Sequence, residues 1–236
     1  MKILLLNGSP KKEDSRTLEL VGSFLEGLDD NPNYPEIELM KIHMIDMNIG
    51  DCMGCFHCWD DPNVPKCIYR DDMDILLPLY VEVDLVIWSF PIYYFALPSN
   101  IIRFQQRMLP IMDSSIVEVE DNRFIHPLRN SEVLDRYEIF FSTGGLPSFE
   151  NNFESLEMYV TLLKGEKGQK IFLPQSESIH KPYMEKKASR LKKLIYESGK
   201  SFHLDTGIDK KWLQKLSKPL MEPDYYTKIA NQYLVK

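Results

Sequence analysis

Cys52, Cys55 and Cys58 are separated by two residues each, and Cys67 follows after eight more, so all four cysteines of the chain share one short stretch. Four thiolates at this spacing suit a 4Fe-4S cluster, because a compact loop can wrap the irons of a cubane. A structural zinc also takes four thiolates, although consecutive two-residue gaps are more typical of iron-sulfur ligation. Thiols left reduced without a metal, and a regulatory disulfide, are the other chemistries open to the same spacing. His57 reads as a loop histidine rather than a ligand or base. Asp71, Asp72 and Asp74 resemble a metal or acid/base set, but they stand where a helix begins and read as capping residues.

A second group of polar residues lies near the N-terminus. The apolar run Ile3 to Leu6 is broken by Asn7-Gly8-Ser9-Pro10, and Ser15 and Thr17 precede Leu18, Val21, Leu25 and Leu28 at helical spacing. That pattern predicts a buried strand, a tight turn and the N-terminus of an amphipathic helix. Such a junction gathers unpaired N–H groups and the positive end of a helix dipole, which suits a phosphate. Further along, Pro91-Ile92-Tyr93-Tyr94-Phe95 offers flat aromatic walls for a planar heteroaromatic ring. Ser142-Thr143-Gly144-Gly145 offers glycines that permit positive φ and close backbone approach.

These residues need elements to hold them. Strand candidates run over 3–6, 37–42, 84–89, 137–142 and 170–173. Helix candidates run over 18–28, 71–80, 98–109, 153–163 and 184–196, the last with Met184, Ala188, Leu191 and Ile195 on one face. Strands alternating with helices, most of them continuously apolar, imply an α/β fold with a doubly wound five-stranded parallel sheet. Ligands of such sheets sit beyond the carboxyl ends of the strands, which selects the loops 7–17, 90–97 and 143–149. Residues 111–136 read as a polar, poorly periodic insertion. The chain divides into a body over 1–203 and a C-terminal helical extension over 204–236. Trp212, Leu213, Leu216, Leu220, Tyr225, Tyr226 and Tyr233 of the extension should pack on the body or on a second subunit.

Composition narrows the function classes. The 236 residues are 44% hydrophobic and 27% charged, as in a globular protein of ordinary core size. A net charge of -7 argues against a general nucleic-acid binder. The charge is uneven, since residues 181–236 hold 13 of the 28 Lys+Arg but 6 of the 35 Asp+Glu. That basic segment reads as a solvated helix face, with a contact to an acidic surface or a cofactor phosphate as the alternative. No apolar run approaches the roughly 18 residues that span a bilayer. The first apolar run is too short for a signal peptide, so a cytoplasmic setting with reduced thiols is expected.

Taken together, Gly8-Ser9-Pro10, Ser15-Arg16-Thr17, Cys52-Met53-Gly54-Cys55-Phe56-His57-Cys58-Trp59, Asp71-Asp72-Met73, Pro91-Ile92-Tyr93-Tyr94 and Thr143-Gly144-Gly145 carry a resemblance. In these motifs, over roughly residues 1–180, the chain resembles the flavodoxin-like NADPH-dependent FMN reductase family, and more closely its branch resembling iron-sulfur flavoproteins. The resemblance implies a flavodoxin-like sheet of strand order 2-1-3-4-5, non-covalent FMN, and a homodimer or homotetramer. It implies that Ser9, Ser15 and Thr17 hold the FMN phosphate, with Arg16 adding a charge contact or pointing to solvent. Pro91, Ile92, Tyr93 and Tyr94 would line the isoalloxazine and ribityl chain, and Thr143, Gly144 and Gly145 would flank the ring.

Two functions are then expected. One is an FMN-dependent NAD(P)H oxidoreductase passing electrons by a ping-pong mechanism to a quinone, nitroaromatic, metal ion, flavin or similar acceptor. No catalytic side chain is needed for it, because the cofactor carries the hydride chemistry. The other is an electron carrier, with a 4Fe-4S cluster on Cys52, Cys55, Cys58 and Cys67 served by a ferredoxin-like partner. A flavin-bearing redox sensor that switches by disulfide formation is a further, weaker expectation.

Overall fold

The computed structural model describes residues 1–60, 66–119, 122–130, 133 and 135–234, with 233 and 234 as backbone alone. The main sheet holds five parallel strands: β1 (Lys2–Asn7), β2 (Glu38–His43), β3 (Leu85–Pro91), β6 (Glu138–Thr143) and β7 (Gly168–Leu173). Their order is β2-β1-β3-β6-β7. Counted within this sheet alone, that is the expected order 2-1-3-4-5. Residues 111–136, expected as irregular insertion, contain a small antiparallel hairpin instead, β4 (Val117–Val119) with β5 (Arg123–Ile125). Three-residue strands are too short to show a period in sequence, which is why the pattern gave no sign of them.

Helices α1 (Arg16–Asp29) and α5 (Glu185–Lys200) cover one face of the sheet. α2 (Met73–Glu82), α3 (Ser99–Gln106) and α4 (Glu154–Lys164) cover the other. The alternation of strand side chains splits each apolar run between two cores. Ile3, Leu5, Ile87 and Phe141 pack beneath α1 and α5, whereas Leu4, Leu6, Trp88 and Phe140 face the opposite layer. α1 and α5 cross closely at two glycines. A Cβ on Gly27 would lie 2.0 Å from the Tyr196 carbonyl oxygen, and one on Gly199 would lie 2.1 Å from that of Phe24.

The extension folds back on the same chain through α6 (Lys210–Leu216) and α7 (Pro223–Leu234). Leu216 and Tyr226 are buried, Trp212, Leu213 and Leu220 pack at the edge of a core, and Tyr225 is exposed. The side chain of Tyr233 lies outside the described residues. Gln169 ties the extension to the edge strand β7, with its amide bonded to both the carbonyl and the N–H of Ile208 at 3.0 and 2.7 Å.

Candidate functional site

Backbone register brings the first three sequence-selected loops to one edge. Asn7 pairs with Ser89 and Pro91 with Thr143, so β1, β3 and β6 end side by side. The Gly8 N–H donates to the Ser89 carbonyl at 2.8 Å, and the Ile92 N–H to that of Thr143 at 2.9 Å. The first and third loops touch directly, with the Thr17 and Thr143 hydroxyls 2.5 Å apart.

Each part of the first loop has a local cause. Ser15 is the N-cap of α1, and its Oγ accepts from the Leu18 N–H at 3.3 Å. Asn7, buried at the strand end, accepts from the Ser9 N–H and donates to the Lys12 carbonyl, which fixes the turn. Ser9, Ser15 and Thr17 are all buried. The N–H groups of Arg16 and Thr17 open the helix, and neither has an acceptor among the described residues. Free donors at a helix N-terminus among buried hydroxyls fit a phosphate. Arg16 neither reaches inward nor points to solvent alone, because its guanidinium is paired with Glu177.

The aromatic loop is strained. Tyr93 and Ala96 exchange backbone hydrogen bonds at 3.1 and 3.0 Å across a tight turn whose corners, Tyr94 and Phe95, have φ of 50° and 62°. Turns with positive φ at both corners favour glycine or asparagine, so two aromatics here store conformational energy. Ser155 Oγ holds the Phe95 carbonyl, and Tyr94 stands 98% exposed. Burial raises the Tyr93 phenol, and the negative charge of Glu177 adds to that, keeping it neutral.

The glycines of the third loop, Gly144 and Gly145, do not adopt the positive φ they permit. A Cβ on Gly144 would lie 2.7 Å from Ile92 Cγ2 and 3.1 Å from Phe153 Cζ, and one on Gly145 would lie 3.0 Å from Glu177 Cγ. Close packing against neighbouring loops, rather than an unusual backbone angle, requires glycine there. A fourth loop, after β7, joins the site through Gln175, Ser176 and Glu177. The sequence reading stopped at Leu173, although the rule that ligands sit at strand carboxyl ends covers this loop too.

The four cysteines also converge. Cys52, Cys55, Cys58 and Cys67 line one cavity of about 20 Å³ with Phe56, Tyr69 and Arg107. Trp59 pins the loop by donating to the Leu109 and Met112 carbonyls, both at 3.0 Å. Burial raises the Cys58 thiol, and the neighbouring Cys67, Cys52 and Cys55 raise it further. The donor set suits a 4Fe-4S cluster, but the cavity has room for about one water. Among the described residues, no group of three or more His, Cys, Asp or Glu stands ready to hold a metal ion. His57 pairs with Asp60 at 2.9 Å.

Asp71 corrects the capping assignment in part. Its Oδ1 accepts from the Met73 N–H at the head of α2, but its main partner is Arg107, at 2.6 and 3.1 Å and almost fully buried. Burial alone would raise the Asp71 carboxyl. The Arg107 guanidinium and the Gly50 and Met73 N–H groups outweigh it and hold the carboxyl low. Asp72 accepts from the Asn48 N–H at 2.7 Å, and Asp74 pairs with Arg70 at 3.2 Å, so neither side chain caps the helix. Distant partners, Arg107 for Asp71 and Asn48 for Asp72, and a local ion pair for Asp74 take these carboxylates instead.

The sheet order, the layers on both faces and the ligand loops at one edge now meet a comparison of sequence. Residues 1–109 match the model of a family described as having a flavodoxin-like fold. This chain has a flavodoxin-like fold. An iron-sulfur flavoprotein of Archaeoglobus fulgidus is 33% identical over 110 residues, 47% of this chain and 46% of the relative. The chain thus spans about half the length of the curated relative it matches. An FMN-dependent NADH-azoreductase of Bacillus anthracis, solved in complex with FMN, superposes with a TM-score of 0.58 at 15% identity, covering 84% of this chain and 97% of that one. An NAD(P)H:quinone oxidoreductase of Methanothermobacter marburgensis gives 0.58 at 11% identity, covering 85% and 98%. At such identities the likeness is one of flavodoxin-like architecture. Among the described residues, no helix is long and apolar enough to cross a membrane.

Proposed function

We propose that this protein is an FMN-dependent NAD(P)H oxidoreductase of the cytoplasm. The observation that carries the reading is the meeting of three loops at one sheet edge, with two helix N–H groups that have no acceptor among the described residues and buried hydroxyls at one end and an aromatic turn beside it. Ser9, Ser15, Thr17 and the N–H groups of Arg16 and Thr17 would hold the phosphate. Pro91, Ile92, Tyr93 and Tyr94 would line the isoalloxazine and ribityl chain, with Thr143, Gly144 and Gly145 along the ring. Arg16 is withdrawn from direct phosphate contact by Glu177. When bound, FMN supplies hydride acceptance and electron release, so no protein nucleophile is required. The protein contributes placement, aromatic walls and oriented dipoles.

The names of the relatives support this chemistry, since the solved structures include an FMN-dependent azoreductase and a quinone oxidoreductase. NAD(P)H and a small acceptor, such as a quinone, nitroaromatic or flavin, would use the same exposed shelf in turn, which is a ping-pong order. A homodimer or homotetramer would cover the exposed Tyr93, Tyr94 and Phe95. Stopped-flow mixing of the flavin-loaded protein with NADH and NADPH tests the reading. Bleaching of the flavin band with at least one of them is expected, and no bleaching with either refutes it.

The convergence of four cysteines on one cavity favours a second reading, an electron carrier with a 4Fe-4S cluster and a ferredoxin-like partner. It requires the cysteine loop to open around the cluster. Anaerobic purification should then give iron and acid-labile sulfide, and the absence of both excludes it.

A further inference from the structure

The C-terminal extension reaches back to the third ligand loop. The Gly144 carbonyl accepts from the Ser176 N–H and Oγ at 3.0 and 2.9 Å, and the Gly145 carbonyl accepts from the Tyr226 hydroxyl at 2.9 Å. Both donors come from buried residues. Among the described residues no peptide is cis, and a trans peptide directs its N–H opposite to its carbonyl. Holding those two carbonyls from the interior therefore turns the N–H groups of Gly145 and Leu146 away from it. Neither N–H has an acceptor among the described residues.

A second clamp fixes the same geometry. Gln175, fully buried at φ 62°, donates from its amide to the Pro147 and Met221 carbonyls at 2.7 and 2.8 Å, and accepts from the Met221 N–H at 2.9 Å. Tyr226 itself packs with Met184, Met221 and Ala230 in a small cluster apart from the two main cores. The extension is thus joined to the loop at Gly145 and, through Gln175, at Pro147.

We infer that the extension completes the flavin site, with Tyr226 as a positioning residue that acts through the Gly145 carbonyl to aim the Leu146 N–H at the edge of the ring. This rests on the FMN reading above. A preorganised N–H donor favours negative charge at the edge it faces, so losing its anchor should weaken binding of the electron-rich, reduced cofactor more than of the oxidised one.

The test is Tyr226→Phe in the full chain, which keeps the ring and its packing and removes one donor. Tyr225→Phe, at an exposed neighbouring position, is the control. Tyr226→Phe should weaken FMN binding roughly three- to tenfold and lower the cofactor's midpoint potential, a tenfold preference corresponding to about 30 mV for two electrons. The control should match wild type in both. A purely structural role would lower the melting temperature and leave the potential unmoved, and that result overturns the inference. Tyr226→Phe that matches wild type in affinity and potential also overturns it, while leaving FMN binding itself intact. If the wild-type protein takes up no FMN, the flavin reading falls and this inference falls with it.

Discussion

Glu138 and Thr143 begin and end the same strand, β6, and both are buried, yet their surroundings differ in how far polar groups are satisfied. Around Glu138 the Tyr80 hydroxyl and Trp88 Nε1 donate at 2.5 and 2.8 Å, and Arg136 and Lys164 approach at 3.3 and 3.4 Å. Arg136 also donates to the Tyr80 and Val83 carbonyls, and Lys164 to that of Val133. Burial alone would raise the Glu138 carboxyl; the Lys164 and Arg136 cations and the two donors outweigh it and hold it below the ordinary range. Around Thr143 there is no such closed network of charge. Its hydroxyl meets Thr17, and the nearby N–H groups of Arg16, Thr17, Gly145 and Leu146 have no acceptor among the described residues. Apart from Arg136 Nε, which has no partner among the described residues, the buried charges around Glu138 close on one another, whereas the N–H donors at the carboxyl edge stay open.

The largest expected effect lies at the closed end. Glu138→Gln leaves two buried cations without their carboxylate and should cost about 4 kcal/mol in urea unfolding. FMN affinity of the folded fraction should stay unchanged. A loss below about 1 kcal/mol, or a loss of flavin first, would break the division of labour between the two ends.

Acid should act at the same place. Because the folded Glu138 and Asp71 carboxyls are held low, their stabilisation is present above the unfolded value of about 4.3 and 3.9 and is lost as the pH falls through the lower folded values. The stability gap between wild type and Glu138→Gln should therefore narrow as the pH drops below about 4. A gap that stays constant to pH 2.5 would show that the carboxylate charge contributes nothing.

The open end should answer in affinity rather than stability. Thr17→Val keeps the shape and removes the hydroxyl that meets Thr143, so FMN should bind roughly tenfold more weakly while stability changes by about 1 kcal/mol or less. Isothermal titration beside thermal melts separates the two; a large melting shift with normal FMN binding would assign Thr17 to the fold. The smallest effect is a gain. Glu177→Gln frees Arg16 for the phosphate and should improve FMN binding over riboflavin about threefold. Equal change for both ligands would place Arg16 away from the phosphate.

Much of the architecture was legible in local patterns. The apolar run over residues 3–6 and the helical spacing from Leu18 to Leu28 are short-range signals, and each fell where expected to within a residue or two. The alternation of strands and helices was enough to place the three candidate loops on one edge, because parallel strands linked by helices all end on the same side. The four cysteines do line one cavity, though among the described residues they form no group ready to hold a metal.

Sequence could not choose among partners distant along the chain. Asp71 sits at a helix head by its local pattern, but folding sets Arg107 against it, and a buried guanidinium outweighs a cap. Arg16 carries a charge that suits a phosphate, yet Glu177, far along the chain, takes it. Gly144 and Gly145 suggest backbone freedom, and only the packed neighbours Ile92, Phe153 and Glu177 reveal that lack of a side chain is what matters. The contact from Tyr226 to Gly145 leaves no local trace at all, since a tyrosine in an amphipathic helix reads as packing. Periodicity and capping are set within a turn or two of chain, so the sequence determines which elements form. Which polar groups meet is settled when those elements pack, and there the tertiary structure alone decides.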